Sequence, residues 1–453
     1  MEKNIGATSS NADGAQKAQA VPVSVRNFIE RIHVLCGEEH KDWALTFDKA
    51  FANTLTSALR REKDGSTFLL TGDIPAMWLR DSTAQMRPYL PIAKDDPDLA
   101  ELIGGLSRRQ FFYITIDPYA NAFNETPSGA SWDKKDRTDR TSPWLWERKY
   151  EVDSLCYPVQ LAWLLYRNTG YTKHFNADFV KGIQSVLDVF VTEQDHKRSP
   201  YFFIRDTTLP TDTLSNNGRG TPVAETGMTW SGFRPSDDTC TYHYLIPSNM
   251  FAYVILGYIT RLFDGCDAKL PALLNNPDIV RRSATLRDGI GRGIREYGTT
   301  KNREGETVYA YEADGLGHAS LMDDANIPNL LSAPYLGFCQ ADDPTYAATR
   351  RTLLSDENPY FYSGRYASGI GSSHTDADRV WPIALSIQGL TSESRAEKAR
   401  LLDTLAATTA GTHLMHEGFD VNDPGKYTRP WFSWSNMMFC ELTMDYFGIR
   451  VQM

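Results

Sequence analysis

Apolar residues recur at spacings of three and four in about a dozen separate stretches of this chain, and no alternation of strand-like and helix-like segments is sustained between them. The stretches are 25–36, 41–61, 82–91, 97–114, 152–168, 175–194, 243–263, 276–297, 344–356, 379–390, 394–410 and 434–446. A parallel α/β sheet or a TIM barrel needs strands between its helices, so the pattern confines the chain to an all-α class. Long polar and aromatic connections separate the helices at 117–150, 199–242, 299–342 and 413–433. Loops of that length are uncommon in a compact domain unless they carry function. They have room for a few short strands, for instance at 201–205 and 307–311. Helices following one another as hairpins, with their long loops gathered at one end, suit a closed toroid of six helix pairs, an (α/α)6 barrel. Periodicity alone does not count the pairs.

Composition narrows the function. Of 453 residues, 41% are hydrophobic and 12% aromatic, which supplies a large core, and no break in composition divides residues 21–453 into separate domains. Residues 1–20 are poor in large apolar side chains and are expected to be a disordered tail. A net charge of -10 without a long basic run argues against nucleic acid as a partner. No apolar run approaches the roughly 20 residues that cross a bilayer, and the first residues lack the apolar core of a signal peptide, so a cytoplasmic location away from membranes is expected. The six cysteines are scattered without zinc-ligand spacing and read as reduced thiols.

The segment Thr-Gly-Asp-Ile-Pro-Ala-Met-Trp-Leu-Arg-Asp-Ser (71–82) sets Arg80 and Asp81 among core-like residues such as Trp78. Charges there lose hydration unless they pair or meet a polar ligand. A sugar is such a ligand: its hydroxyls engage Arg80 and Asp81 while the Trp78 ring covers its C–H face. The competing reading is a structural ion pair at a helix start, with Asp81 or Ser82 as cap. A second segment, Trp-Ser-Gly-Phe-Arg-Pro-Ser-Asp-Asp (230–238), leads toward a helix expected near Thr239. In it Ser236 or Asp237 is a candidate N-cap, and the adjacent Asp237 and Asp238 are a like-charged pair in which one carboxyl can be pushed toward the protonated state.

A third segment, His413-Leu-Met-His416-Glu417-Gly-Phe-Asp420, precedes Trp431-Phe-Ser-Trp434 and puts a lone carboxylate among His, Phe and Trp. Its order fits neither His-Glu-x-x-His nor His-x-x-Glu-His, so no metal is expected there. Three further polar clusters, 151–154, 322–328 and 374–381, read singly as helix caps and together as the edge of one polar, aromatic-lined cavity. Gly289, Gly291 and Gly293 lack the Lys-Ser/Thr of a phosphate-binding loop, and no Gly-x-Ser-x-Gly elbow occurs, which sets aside nucleotide and serine-hydrolase chemistry.

Segments 71–82, 230–238, Met-Asp-Asp-Ala-Asn-Ile-Pro (322–328) and His-Glu-Gly-Phe-Asp (416–420) together resemble glycoside hydrolase family 125, over a stretch from about residue 25 to the C-terminus. The resemblance implies an (α/α)6 barrel and an inverting exo-α-1,6-mannosidase that needs no metal or other cofactor. It also implies a Glu general base at Glu417 and an Asp general acid at Asp237 or Asp238, with a lean toward Asp237. Trp78, Arg80, Asp81, Arg234 and Trp434 would hold the terminal mannose of an oligosaccharide or N-glycan, placed there by chemical fit. A related hydrolase of α-glucosides and a glycan-binding protein without turnover are the alternatives.

Overall fold

The computed structural model describes residues 21–453, and the tail expected to be disordered, 1–20, lies outside the described residues. Among the described residues twelve helices have eight residues or more, one at each stretch where the periodicity placed one. They are α1 (Val23–Cys36), α2 (Lys41–Asn53), α3 (Leu79–Met86), α4 (Pro97–Ile116), α5 (Val152–Thr169), α6 (Ala177–Thr192), α7 (Ile246–Phe263), α8 (Pro277–Tyr297), α9 (Pro344–Leu353), α10 (Pro382–Leu390), α11 (Arg395–Ala407) and α12 (Ser433–Tyr446). Several ends follow from local chemistry. Asp96 and Asn276 each accept two amides of the turn they open, with Pro97 and Pro277 at the first helical position, where a missing N–H costs nothing. Gly170 ends α5 at φ 72°, a conformation most side chains avoid.

The helices sort into two sets by burial. α3, α5, α7, α10 and α12 are buried almost throughout, whereas α8 buries a single stripe through Ile279, Leu286, Ile290 and Ile294. In the inner set α3 packs on α5 and α5 on α7; α10 packs on α12, and α12 returns to α3. A short turn, Leu330–Ser332 running into Ala333–Leu336, fills the place between α7 and α10. Outside them α2 lies on α12, α4 on α5, α8 on α7 and α11 on α10, and α2 also meets α11, so the last helices close on the first.

The 330–336 turn was expected to be connection. It is too short to show a helical period, and its order comes from caps: Asn329 and Ser332 exchange side-chain-to-backbone bonds, and Asp323 accepts the amides of Leu330 (2.8 Å) and Leu331 (3.1 Å). A second difference bears on the site. No helix starts at Thr239; that residue bridges back to Phe233, and α7 begins only at Ile246, so Ser236 and Asp237 are not N-caps.

Among the described residues seven small antiparallel sheets of two or three strands lie in the loops. Phe203–Ile204 and Thr307–Tyr309 fall where strands were expected. Met77–Trp78, paired with Ala122–Phe123, and Gly418–Asp420, paired with Arg379–Val380, were not anticipated, because two or three residues show no alternation. Among the described residues no helix is long and apolar enough to cross a membrane.

Candidate active site

The strand Met77–Trp78 hands the chain directly to α3, whose N-cap is Trp78 and carries no side-chain cap. Ser82 Oγ instead donates to Leu79 O at 3.1 Å. The capping account of Asp81 and Ser82 therefore fails, and Arg80 and Asp81 enter a cavity at the mouth of the inner helices. That cavity is lined by Thr71, Ile74, Trp78, Arg80, Asp81, Pro235, Ser236, Asp237, Asn326, His374, Trp381, Glu417, Arg429, Phe432 and Trp434. Its volume, mouth included, is about 400 Å³.

Arg80, 3% exposed, is the hub. Its guanidinium meets Glu151 Oε2 at 2.5 Å, Asp153 Oδ2 at 3.1 Å, Asp81 Oδ2 at 3.6 Å and Asp237 Oδ1 at 3.8 Å, and it lies 5.7 Å from the centre of the Trp434 ring. One cation facing four carboxyls leaves an excess of negative charge that burial makes expensive. Burial raises Asp81 to about 6 despite Arg80, with Asp237 adding repulsion. Glu151 is driven well above the usual carboxyl range by burial, with Asp237 and Asp153 also raising it against Arg80. Glu151 and Asp237 meet the same guanidinium, on its Nη1 and Nη2 respectively. Segment 151–154, read from sequence as a cap, thus supplies two of the carboxyls that hold Arg80 from behind the cavity wall.

Asp237 and Asp238 point different ways. Asp237 sits at φ 66°, an uncommon backbone conformation for a residue other than glycine. Lys149 fixes it there, its Nζ donating to the Asp237 carbonyl (2.7 Å) and to Asp212 Oδ1 (2.7 Å). The Asp237 carboxyl, 27% exposed, faces the cavity and accepts from Asn121 Nδ2 at 3.3 Å. Burial would raise its pKa, but Lys149 and Arg80 outweigh burial and hold it below the usual value. Asp238 turns away: its carboxylate accepts from Ser373 Oγ at 2.6 Å and bonds His374 Nδ1 at 3.2 Å. Burial opposes its ionisation, yet His374, Ser373 and Arg234 keep it low.

His374 is surrounded by carboxylates. Desolvation would lower its pKa, but the bond and charge of Asp238, with Glu417 and Asp237 beyond, push it up to about 9. Its side chain is 42% exposed, so solvent screens part of that attraction. Arg234 is not on the cavity wall; its Nε donates to Glu312 Oε1 at 2.6 Å and its Nη1 to Ser373 Oγ at 3.4 Å, behind Asp238. Arg234, expected as a sugar contact, is placed behind the wall, where it braces the 233–239 loop.

Glu417 enters from the opposite connection, immediately before the strand Gly418–Asp420, with its amide donating to Thr428 O at 3.2 Å. Its carboxylate lies 3.7 Å from Arg429, which also pairs with Asp73. The neighbouring histidines diverge: His416 stacks on Tyr427 at 3.6 Å, and His413 Nδ1 lies 3.5 Å from Thr46 Oγ1. Among the described residues no group of three His, Cys, Asp or Glu side chains is placed to hold a metal. Trp78 and Trp434 are buried with indole N–H groups that find no protein acceptor.

Of the residues selected from sequence, the structure gathers Trp78, Arg80, Asp81, Asp237, Glu417 and Trp434 on one cavity and puts Arg234 and Asp238 behind it. Sequence reasoning missed Lys149, Asn121 and Arg429, none of which stands in a segment with a recognisable pattern. Glu151, Asn326 and His374 were visible only as members of polar clusters.

A family model described as metal-independent alpha-mannosidase (GH125) matches residues 40–444. A solved structure from Streptococcus pneumoniae, one of the metal-independent alpha mannosidases, in a non-productive complex with alpha-1,6-mannobiose, is 53% identical to this chain with a TM-score of 0.92. The match covers 94% of this chain and 99% of that one. The meiotically up-regulated gene 157 protein of Schizosaccharomyces pombe is 39% identical over 428 residues, 90% of this chain and 82% of its own. A glycosidase structure at 11% identity and TM-score 0.54, covering 93% of this chain and 98% of its own, shares the fold alone.

Proposed function

Because the chain belongs to glycoside hydrolase family 125, the metal-independent α-mannosidases, we propose that it removes non-reducing terminal α-1,6-linked mannose from oligosaccharides or N-glycans with inversion at the anomeric carbon. The observation that carries this reading is the meeting of Asp237 and Glu417, from two loops 180 positions apart in the chain (417 minus 237), on one cavity. Asp237 donates a proton to the glycosidic oxygen as the bond to the anomeric carbon breaks. Glu417 takes a proton from a water attacking the opposite face, the division of roles of an inverting pair. Asp238 is unsuited to the donor role, since Ser373 and His374 occupy its oxygens.

Arg80 and Asp81 hold hydroxyls of the terminal mannose, and the Trp78 and Trp434 rings cover its carbon face. Their unpaired indole N–H groups add two donors for sugar oxygens. The bound α-1,6-mannobiose of the pneumococcal relative supports the linkage. The helix contacts support an (α/α)6 toroid with the 330–336 turn as its sixth inner member, formed as one catalytic domain from residue 21 to 453. Six cysteines without a disulfide agree with action in a reducing cytoplasm.

The test is Glu417→Gln. Turnover of α-1,6-mannobiose is expected to fall by a factor of about 100–10,000 with the thermal midpoint retained. Activity near that of the unaltered enzyme contradicts the assignment.

A further inference from the structure

The small sheet that carries Trp78 leads away from the catalytic cavity. Its strands lie in the order Met77–Trp78, Ala122–Phe123, Leu145–Glu147, with Trp78 opposite Ala122 and Ala122 opposite Glu147. Met77, Phe123 and Leu145 join the main core. Trp78 and Ala122 form a separate small cluster, against which Ile74 and the half-buried Trp146 pack. Ile74 and Trp78 are themselves cavity wall, so Trp146 is the next large side chain after that wall. One further segment adds to the edge: Trp132 donates its amide to Trp146 O at 2.9 Å.

Exposure rises along this series. Trp78 is 4% exposed, Trp146 is half-buried and Trp132 is 48% exposed, the one exposed residue among the ten tryptophans. A single exposed apolar side chain is ordinary on a protein surface. Three indoles in succession from a sugar-sized cavity wall to solvent are not, and Trp146, like Trp78, keeps an indole N–H without a protein acceptor. We infer that Trp146 and Trp132 continue the sugar-binding wall begun at Trp78 and hold the leaving part of the glycan, so that the site is built for an extended oligomannoside rather than a disaccharide.

The chemistry suits that ligand. Indole rings cover the carbon face of a pyranose, and the N–H edge meets its hydroxyls. An α-1,6 linkage adds a freely turning bond between sugars, so the leaving arm gains affinity only where a surface already held in place meets it. The 129–132 segment is held in that way. Asn124 Nδ2 donates to Ala130 O (2.8 Å), Pro143 O (3.1 Å) and Leu145 O (3.2 Å), and Gly129 donates its amide to Pro143 O at 2.9 Å. Neighbouring strands lie about 4.8 Å apart, so three steps put the Trp132 backbone about 14 Å from that of Trp78. That is past the second sugar of a chain whose terminal unit lies against Trp78, and within reach of a third or fourth.

This rests on the removal of α-1,6-linked mannose, and the experiment separates the two claims. Initial rates on α-1,6-mannobiose and α-1,6-mannotetraose give kcat/KM for each, and the ratio of the two is the readout. The unaltered enzyme is expected to favour the tetraose about tenfold or more, through KM rather than kcat, because contacts far from the reacting carbon are made equally in ground and transition states. Trp132→Ala is expected to bring the ratio close to one, Trp132→Phe to leave it between, and neither to move the thermal midpoint, since the ring is exposed. A ratio near one in the unaltered enzyme, or a ratio that Trp132→Ala leaves unchanged, overturns the inference while the mannosidase reading stands. If the unaltered enzyme cleaves neither substrate, the mannosidase reading falls and the platform with it.

Discussion

Replacing Arg80 with Met removes the one guanidinium that faces four carboxyls and leaves the volume nearly unchanged. At 3.8 Å from Asp237, and with an effective dielectric of about 20, the lost attraction is about 4 kcal/mol, equivalent to about three pKa units. Glu151, Asp153 and Asp81 lie closer still. Breaking a buried ion pair from one side costs about 3–5 kcal/mol, because the partner charge stays behind without compensation. The cost depends on pH, and its sign is fixed. Asp81 already titrates in the folded protein at about 6, above its unfolded value of 3.8, so its contribution to stability is largest below 3.8 and is lost as pH rises through 6. Without Arg80 the cluster's folded pKa values rise further, and the folded state binds protons that the unfolded chain does not. Urea unfolding at two pH values reads this directly. The variant is expected to lose about 3–5 kcal/mol at pH 8 and clearly less at pH 5, where the carboxyls take up protons. A loss below about 1 kcal/mol at pH 8, or a loss identical at both values, would refute the description of Arg80 as the counter-charge of the site.

Other consequences follow from single contacts. His374→Asn is expected to lower the thermal midpoint at pH 6 and leave it unchanged at pH 10, since a pKa raised from 6.5 to about 9 stabilises fully below 6.5 and not at all once pH passes 9; equal loss at both values would show that charge is irrelevant there. Gly293→Ala puts a Cβ 2.6 Å from Thr226 O and 2.6 Å from Met228 Cγ. The overpacking costs about 1–3 kcal/mol against a helix-propensity gain of about 1 kcal/mol, so unfolding experiments should show net destabilisation. Gly289→Ala meets nothing closer than 3.3 Å and should be near neutral in the same assay. Prolonged dialysis against a chelator is expected to leave mannobiose turnover unchanged, and loss restored by a divalent cation would contradict the metal-independent family assignment.

Much of this molecule was legible because long helices carry their own period. All twelve stretches with helical spacing contain a helix, and the short strands at 203–204 and 307–309 fell in the loops where they were sought. The 330–336 turn was not legible, since seven residues hold too little repetition and their order comes from Asp323 and Asn329. At the site, the motifs located Arg80, Asp237 and Glu417 but not the directions of their side chains. The turning of Asp237 into the cavity depends on Lys149, 88 residues earlier, bonding its carbonyl. The place of Glu151 behind the cavity wall depends on Arg80, 71 residues before it. Pairings of that range leave no local pattern. The same holds for Arg234, whose partner Glu312 lies 78 positions away.

The central claim is single displacement at the anomeric carbon by water that Glu417 activates while Asp237 protonates the leaving oxygen. Proton NMR of α-1,6-mannobiose hydrolysis, recorded from the first minute with enzyme in excess of the rate of mutarotation, measures it most directly. The account predicts that the mannose released first is the β-anomer, with the α-anomer growing in only as mutarotation proceeds. Initial release of α-mannose would mean a covalent double displacement and would contradict the roles assigned to both carboxyls.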